Sequence, residues 1–231
     1  IYVDTDDDIT NDFQGFGVQW DPSDLYDYTD EQWASFVEKA SFLKPNIMRV
    51  MIHDGDSYCI GFDENHQPKY NWDSKMMNRV YRILDFAQQN QIPIMIGEWN
   101  SPKDRGYLSY DDYGKTVGWD SETWANMIND VLTYLVEQKG YTCIKYYNMI
   151  NEPNFKGSSS DKISNIEIVG PDVYDNWENW LDTTTSDTLR DSIGLHEIHW
   201  YANDYQVYNG EVETTLKSLK EKAEKQDPEA A

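Results

Sequence analysis

The feature that most limits what this chain can fold into is an alternation. Short apolar runs with strand character are each followed by a stretch of helical periodicity, from one end of the 231 residues to the other. Asn46–Ile52 is apolar on both faces apart from Arg49, the pattern of a parallel strand covered on both sides. Ile92–Trp99 and Cys143–Met149 read the same way, Gly15–Trp20 and Ile166–Val169 are shorter strands, and Leu195–Tyr201 is the sixth. Between them lie the helices. Thr29-Asp30-Glu31-Gln32 is a capping box, and Trp33, Phe36, Val37, Ala40 and Leu43 follow at helical spacing until Pro45. A second helix starts at Asp73 or Ser74 and is expected to bury Met76, Met77, Val80, Ile83, Leu84 and Ala87. A third points Trp124, Ile128, Val131, Leu132 and Leu135 inward, with Gly140 just past its end. Helical stretches are also expected over roughly 172–182 and 185–192, and a charged one over about 212–226 carries Leu216 and Leu219.

Strict alternation predicts a parallel sheet joined by right-handed crossovers. A doubly wound sheet would want a glycine-rich turn after its first strand, but Gly15-Phe16-Gly17 lies inside that strand. A barrel instead collects functional residues at the C-terminal ends of many strands. They are found there: Trp20 and Asp21, Arg49 and His53, Glu98 and Trp99, Asn151 and Glu152, His199 and Tyr201. The expected fold is therefore α/β, a TIM (β/α)8-type barrel, as one domain over residues 1–231. Six βα units can be counted where a closed barrel has eight, so the barrel is expected to be C-terminally incomplete, with its first and last strands as open edges.

Charge narrows the ligand. Lys and Arg number 19 against 42 Asp and Glu, a net charge of -23. Such a surface repels phosphate backbones and anionic membranes, so neither nucleic acid nor membrane is an expected partner. Nine Trp and seventeen Tyr supply flat apolar faces, which together with the acidity suits a neutral polar ligand such as a sugar. No apolar run approaches the ~18 residues of a membrane span. Cys59 and Cys143 have no metal-site spacing, and the acidic cluster at Asp4, Asp6, Asp7 and Asp8 lacks the glycine and distal glutamate of a calcium loop. No cofactor is expected.

The strand from Ile144 closes abruptly on Asn151-Glu152-Pro153. Proline cannot extend the ladder, so the chain leaves the sheet directly after Glu152 and sets a carboxylic acid at a mouth. With these residues in view, the chain resembles the clan A glycoside hydrolases, retaining (β/α)8-barrel enzymes with Asn-Glu at the end of the fourth strand. The resemblance rests on Arg49 in the second strand, Asn151-Glu152-Pro153 ending the fourth and His199-Trp200-Tyr201 at the sixth. Gly15-Phe16-Gly17 in the first strand is similar to families such as 5, 30 and 39. It implies that Glu152 is the acid/base, that Asn151 binds the sugar 2-hydroxyl, and that Arg49, His199 and Tyr201 contact the substrate or the nucleophile. The nucleophile would be a Glu ending a seventh strand. Glu98 looks like one but precedes the acid/base strand, so it is assigned to substrate contact, and Trp20, Trp99 and Trp119 are candidate stacking platforms. Trp200 is expected in the core, because alternation turns it away from His199 and Tyr201. The implied substrate is an oligosaccharide or polysaccharide, and the implied location is secreted, cell-surface or periplasmic. Two other readings remain open: a non-catalytic carbohydrate-binding barrel, and an unrelated barrel enzyme with a metal at His53, Asp54 and His199.

Overall fold

Six strands lie side by side, every neighbouring pair parallel, in the order β1 (Gly17–Gln19), β2 (Ile47–Ile52), β5 (Ile94–Glu98), β6 (Ile144–Asn148), β7 (Glu167–Val173) and β8 (Ile193–Ile198). Sequential strands are spatial neighbours throughout, as in a barrel wall. The structure, a computed structural model, describes residues 15–22, 28–52, 58–65, 67–99, 122–149, 166–173, 177, 179, 181 and 193–226. Within those residues the sheet is open, with β1 and β8 as its edges. This is a partial α/β barrel, as the alternation predicted.

Helices α1 (Asp30–Leu43), α2 (Lys75–Asn90) and α3 (Glu122–Thr133) cover the outer face. The predicted capping box forms: Thr29 Oγ accepts from Gln32 N at 3.2 Å, and Gln32 Oε1 accepts from Thr29 N at 2.9 Å. Leu43, the last residue of the apolar stripe, is exposed, and the left-handed Lys44 ends the helix directly after it. α2 is the best-buried helix. Ser74 caps it, and Met77, Val80, Ile83, Leu84 and Ala87 are sealed against the sheet. α3 buries Trp124, Met127, Ile128, Val131 and Leu132 and then widens into a π-type turn, Tyr134–Gln138. That turn brings Tyr134 face to face with Trp72, ring centroids 4.3 Å apart. Beyond β8, α4 (Asp204–Tyr208) and α5 (Glu211–Gln226) follow, the latter the charged helix expected over about 212–226, with Leu216 exposed on it. The helices expected over 172–182 and 185–192 fall almost wholly outside the described residues. The fifth strand itself runs on through Gly170 and Pro171 to Val173.

An element not foreseen is the antiparallel hairpin β3 (Cys59–Phe62) and β4 (Pro68–Tyr70) between β2 and α2. Asp63 closes its turn, Oδ1 accepting from Asn65 N and Gln67 N. The hairpin carries Tyr58, Phe62 and Tyr70 into the outer core. Cys59 and Cys143 are both buried and unpaired with each other, and burial pushes the Cys143 thiol up to about 11.

Parity sorts the wall into two layers. Met48, Val50 and Ile52 of β2, with Ile94 and Ile96 of β5, join the helices in the outer core. Arg49, Met51, Met95 and Gly97 alternate with them and face the opposite, lumen side. Gly97 is needed there. A Cβ on it would lie 2.9 Å from Asn148 Cβ and collide with the Asn148 carbonyl, so any larger residue would push β5 from β6.

Candidate active site

Arg49 organises the lumen. Its Nη1 donates to Gln19 Oε1 of β1 at 2.7 Å, and its Nε lies 3.9 Å from Glu197 Oε1 of β8. The guanidinium also sits 5.9 Å from the ring centroid of Trp99, just past β5. One side chain on the second strand therefore reaches the first, the third and the sixth, which a curled parallel sheet permits and a flat one does not. From β6, Asn148 Nδ2 donates to Glu197 Oε2 at 3.1 Å, while Asn148 itself is completely buried. A planar cation, a carboxylate and two amides thus form a fixed polar floor.

Above this floor lies a cavity of about 540 Å³, within the range of small-molecule sites. Its lining includes Gln19, Arg49, Trp99 and Glu197, which lie in or just past the first, second, third and sixth strands. Ile198, His199, Trp200 and Tyr201 complete it. Trp99 is oriented by Asp21, whose Oδ2 accepts from the indole N–H at 2.6 Å. Tyr201 stands at the rim, 79% exposed.

Four residues picked from the sequence, Arg49, Trp99, His199 and Tyr201, are brought together here. Two others are not. Trp20 stacks on Trp33 at 5.1 Å and meets Phe86 edge-on at 6.0 Å, so it belongs to the helix layer. Glu98 shares parity with Ile94 and Ile96 rather than with Trp99, which turns its carboxylate away from the lumen. There it is fully buried, and Oε1 accepts from the Tyr58 hydroxyl at 2.7 Å. Burial first and the Glu98 charge second push the ionisation of Tyr58 well above the usual tyrosine range; the same two causes act on Tyr147. Trp119, Asn151, Glu152, His53 and Asp54 lie outside the described residues. Among the described residues no group of three or more His, Cys, Asp or Glu is arranged to hold a metal.

Trp200 corrects an expectation. It lines the cavity and packs against Trp177, centroids 4.9 Å apart. β8 ends at Ile198, so strand alternation no longer governs residues 199–201. Gln19, Asn148 and Glu197 were missed. The signal for Glu197 was available, since it sits two residues before His199, at the same strand parity.

No protein-family model matches the sequence, and no curated protein does either. Solved structures do match. The catalytic domain of the family 30 xylanase C from Talaromyces cellulolyticus superposes with a TM-score of 0.57 at 16% identity, over 82% of this chain and 53% of that one. A family 30 endoxylanase from Clostridium papyrosolvens C71 gives 0.55 at 15%, over 83% and 50%. A family 39 glycoside hydrolase from Bacteroides cellulosilyticus WH2 gives 0.56 at 13%, over 80% and 38%. At such identities the likeness is one of fold. Families 30 and 39 are two of those the sequence resembled. The chain spans about half the length of the family 30 structures it matches. No described helix is long and apolar enough to cross a membrane.

Proposed function

We propose that the protein is a glycoside hydrolase that cleaves O-glycosidic bonds of an oligosaccharide or polysaccharide by retaining double displacement. The observation that carries this reading is the convergence of Arg49, from within the second strand, with Trp99, His199 and Tyr201, from just past the third and sixth strands, on one cavity. The fold shared with xylanases and a family 39 hydrolase supports it. Trp99 offers a flat face for the C–H side of a sugar, and the polar floor offers donors and acceptors for its hydroxyls.

Glu152 is the general acid/base in this reading, and Asn151 holds the sugar 2-hydroxyl. β6 runs parallel between β5 and β7 and reaches Asn148 at the cavity end of the sheet. The chain therefore leaves β6 beside the cavity only a few residues before Glu152. Cleavage needs this acid to protonate the leaving oxygen and a second carboxylate opposite it as nucleophile, the two carboxyls ~5–5.5 Å apart. We assign the nucleophile to a Glu on a seventh strand adding to the open edge of β8. A location outside the cell or at its surface follows from a polymeric substrate.

The test has two arms. Residues 1–231 alone should turn over xylan, mannan and aryl glycosides no faster than their Glu152→Gln variant; turnover well above it would overturn the placement of the nucleophile. In protein carrying the closing strands, Glu152→Gln should slow hydrolysis of natural glycosides by ~10²–10⁴. Bond cleavage in aryl glycosides with good leaving groups should lose much less. Equal losses on both substrate types would overturn Glu152 as the acid.

A further inference from the structure

Glu197 has no place in the sequence reading, yet it faces the cavity and is the anion set against Arg49 there. Its carboxylate is fixed rather than adventitious. Oε2 accepts from the fully buried Asn148 amide at 3.1 Å, and the Glu197 side chain is largely enclosed, 20% exposed. The Arg49 guanidinium is the group that a sugar carboxylate would seek, because its fork matches a carboxylate in two-point fashion. One of its nitrogens already donates, and a second lies 3.9 Å from a carboxylate oxygen, within ion-pair but not hydrogen-bond reach. Nη1 is on Gln19, and Nε is beside Glu197. An acidic sugar would have to share that cation with a carboxylate already in place, in a protein of net charge -23. A neutral sugar meets no such conflict, since a carboxylate accepts hydroxyl hydrogen bonds readily.

We propose that Glu197 is a specificity-determining residue, which makes the cavity take neutral, hydroxyl-bearing sugars and reject uronic acids. This rests on the carbohydrate reading above and deepens it. Arg49 acts as a donor already balanced by Glu197, not as an anchor for anionic substrates. Gln at position 197 would keep an acceptor oxygen for the Asn148 amide while removing the charge, which exposes Arg49 to an anionic ligand.

The test is calorimetric titration of the 1–231 chain with tetrasaccharides of xylose, mannose and glucose and with tetragalacturonate, at low and high salt. The best neutral tetrasaccharide should bind at least ~10-fold more tightly than the uronate, and salt should narrow the gap, as expected for like-charge exclusion. Glu197→Gln should narrow it by about tenfold at low salt, with an unchanged circular dichroism spectrum. Equal or tighter uronate binding by the unaltered chain overturns the inference without any variant, and leaves the carbohydrate reading standing. So does an unchanged ratio in a folded Glu197→Gln protein. Binding of none of the four sugars overturns both.

Discussion

Replacing Tyr58 by Phe removes one oxygen from the outer core and tests whether Glu98 is held there as a carboxylate. The Tyr58 hydroxyl donates to Glu98 Oε1 at 2.7 Å, and both residues are fully buried. The Tyr58 ring stacks on Trp72 at 5.7 Å with planes 15° apart, a contact that Phe keeps. The change therefore isolates the hydrogen bond. A bond to a charged group contributes about 1.5–3 kcal/mol, against about 0.5–1.5 kcal/mol between neutral groups. With Glu98 ionised, Tyr58→Phe should cost about 1.5–3 kcal/mol in urea unfolding followed by tryptophan fluorescence, the slope unchanged. In a Glu98→Gln background the same substitution should cost only about 1 kcal/mol, leaving a coupling of about 1 kcal/mol between the sites. Equal costs in both backgrounds, or a loss below ~0.5 kcal/mol in the parent, would refute the assignment of a charged, tyrosine-bound carboxylate. Because Glu98 lies on the opposite face of β5 from the cavity, sugar affinity should not change.

The buried tyrosines also set an alkaline limit. The ionisation of Tyr58 and Tyr147 is raised in the folded chain, by burial and then by the Glu98 charge. Their contribution is complete below about pH 10, where unfolded tyrosine ionises, and is lost as pH rises above it. Each should remove up to ~1.4 kcal/mol per pH unit, so the melting temperature should fall steeply above about pH 10 and less steeply in Tyr58→Phe. A flat profile to pH 11 would contradict this. In the core, Leu84→Ala should cost about 2–5 kcal/mol, because Leu84 is fully enclosed between α2 and the sheet; a loss under ~1 kcal/mol on urea unfolding would mean that α2 is not docked as described.

The helices and the strand order were legible because each rests on a pattern that local physics writes into the sequence. The α2 stripe repeats over four turns, and the Thr29–Gln32 box names its own hydrogen bonds. Arg49 was legible as a polar residue in a strand otherwise apolar on both faces, since burying that cation requires partners on the lumen side. The β3–β4 hairpin was not, because its two strands are four and three residues long and Pro68 opens the second. Runs that short carry no readable alternation. Its place follows from Tyr58, Tyr70 and Trp72, whose stack over Tyr134 is a tertiary fact with no local signature.

Strand parity explains both the picks that reached the cavity and those that did not. Counting from Ile94, Glu98 falls on the outer face and Trp99 on the inner, so two adjacent residues with equally functional chemistry serve different layers. Counting works only while the ladder lasts. At β8 it places Glu197 correctly beneath His199, then fails for Trp200, where the backbone has left the sheet. At Trp20 the count still holds. Its N–H still bonds Arg49 O at 2.9 Å, so it remains in register with β2, and its ring follows the outer parity to Trp33. In a barrel wall, then, side chains still in the ladder are assigned by parity, and those one to three residues beyond it must be assigned by what they touch. In this chain residues 199–201 of the cavity belong to the second group, while Trp99, whose N–H still bonds Ile52 O at 3.2 Å, and the charged floor belong to the first.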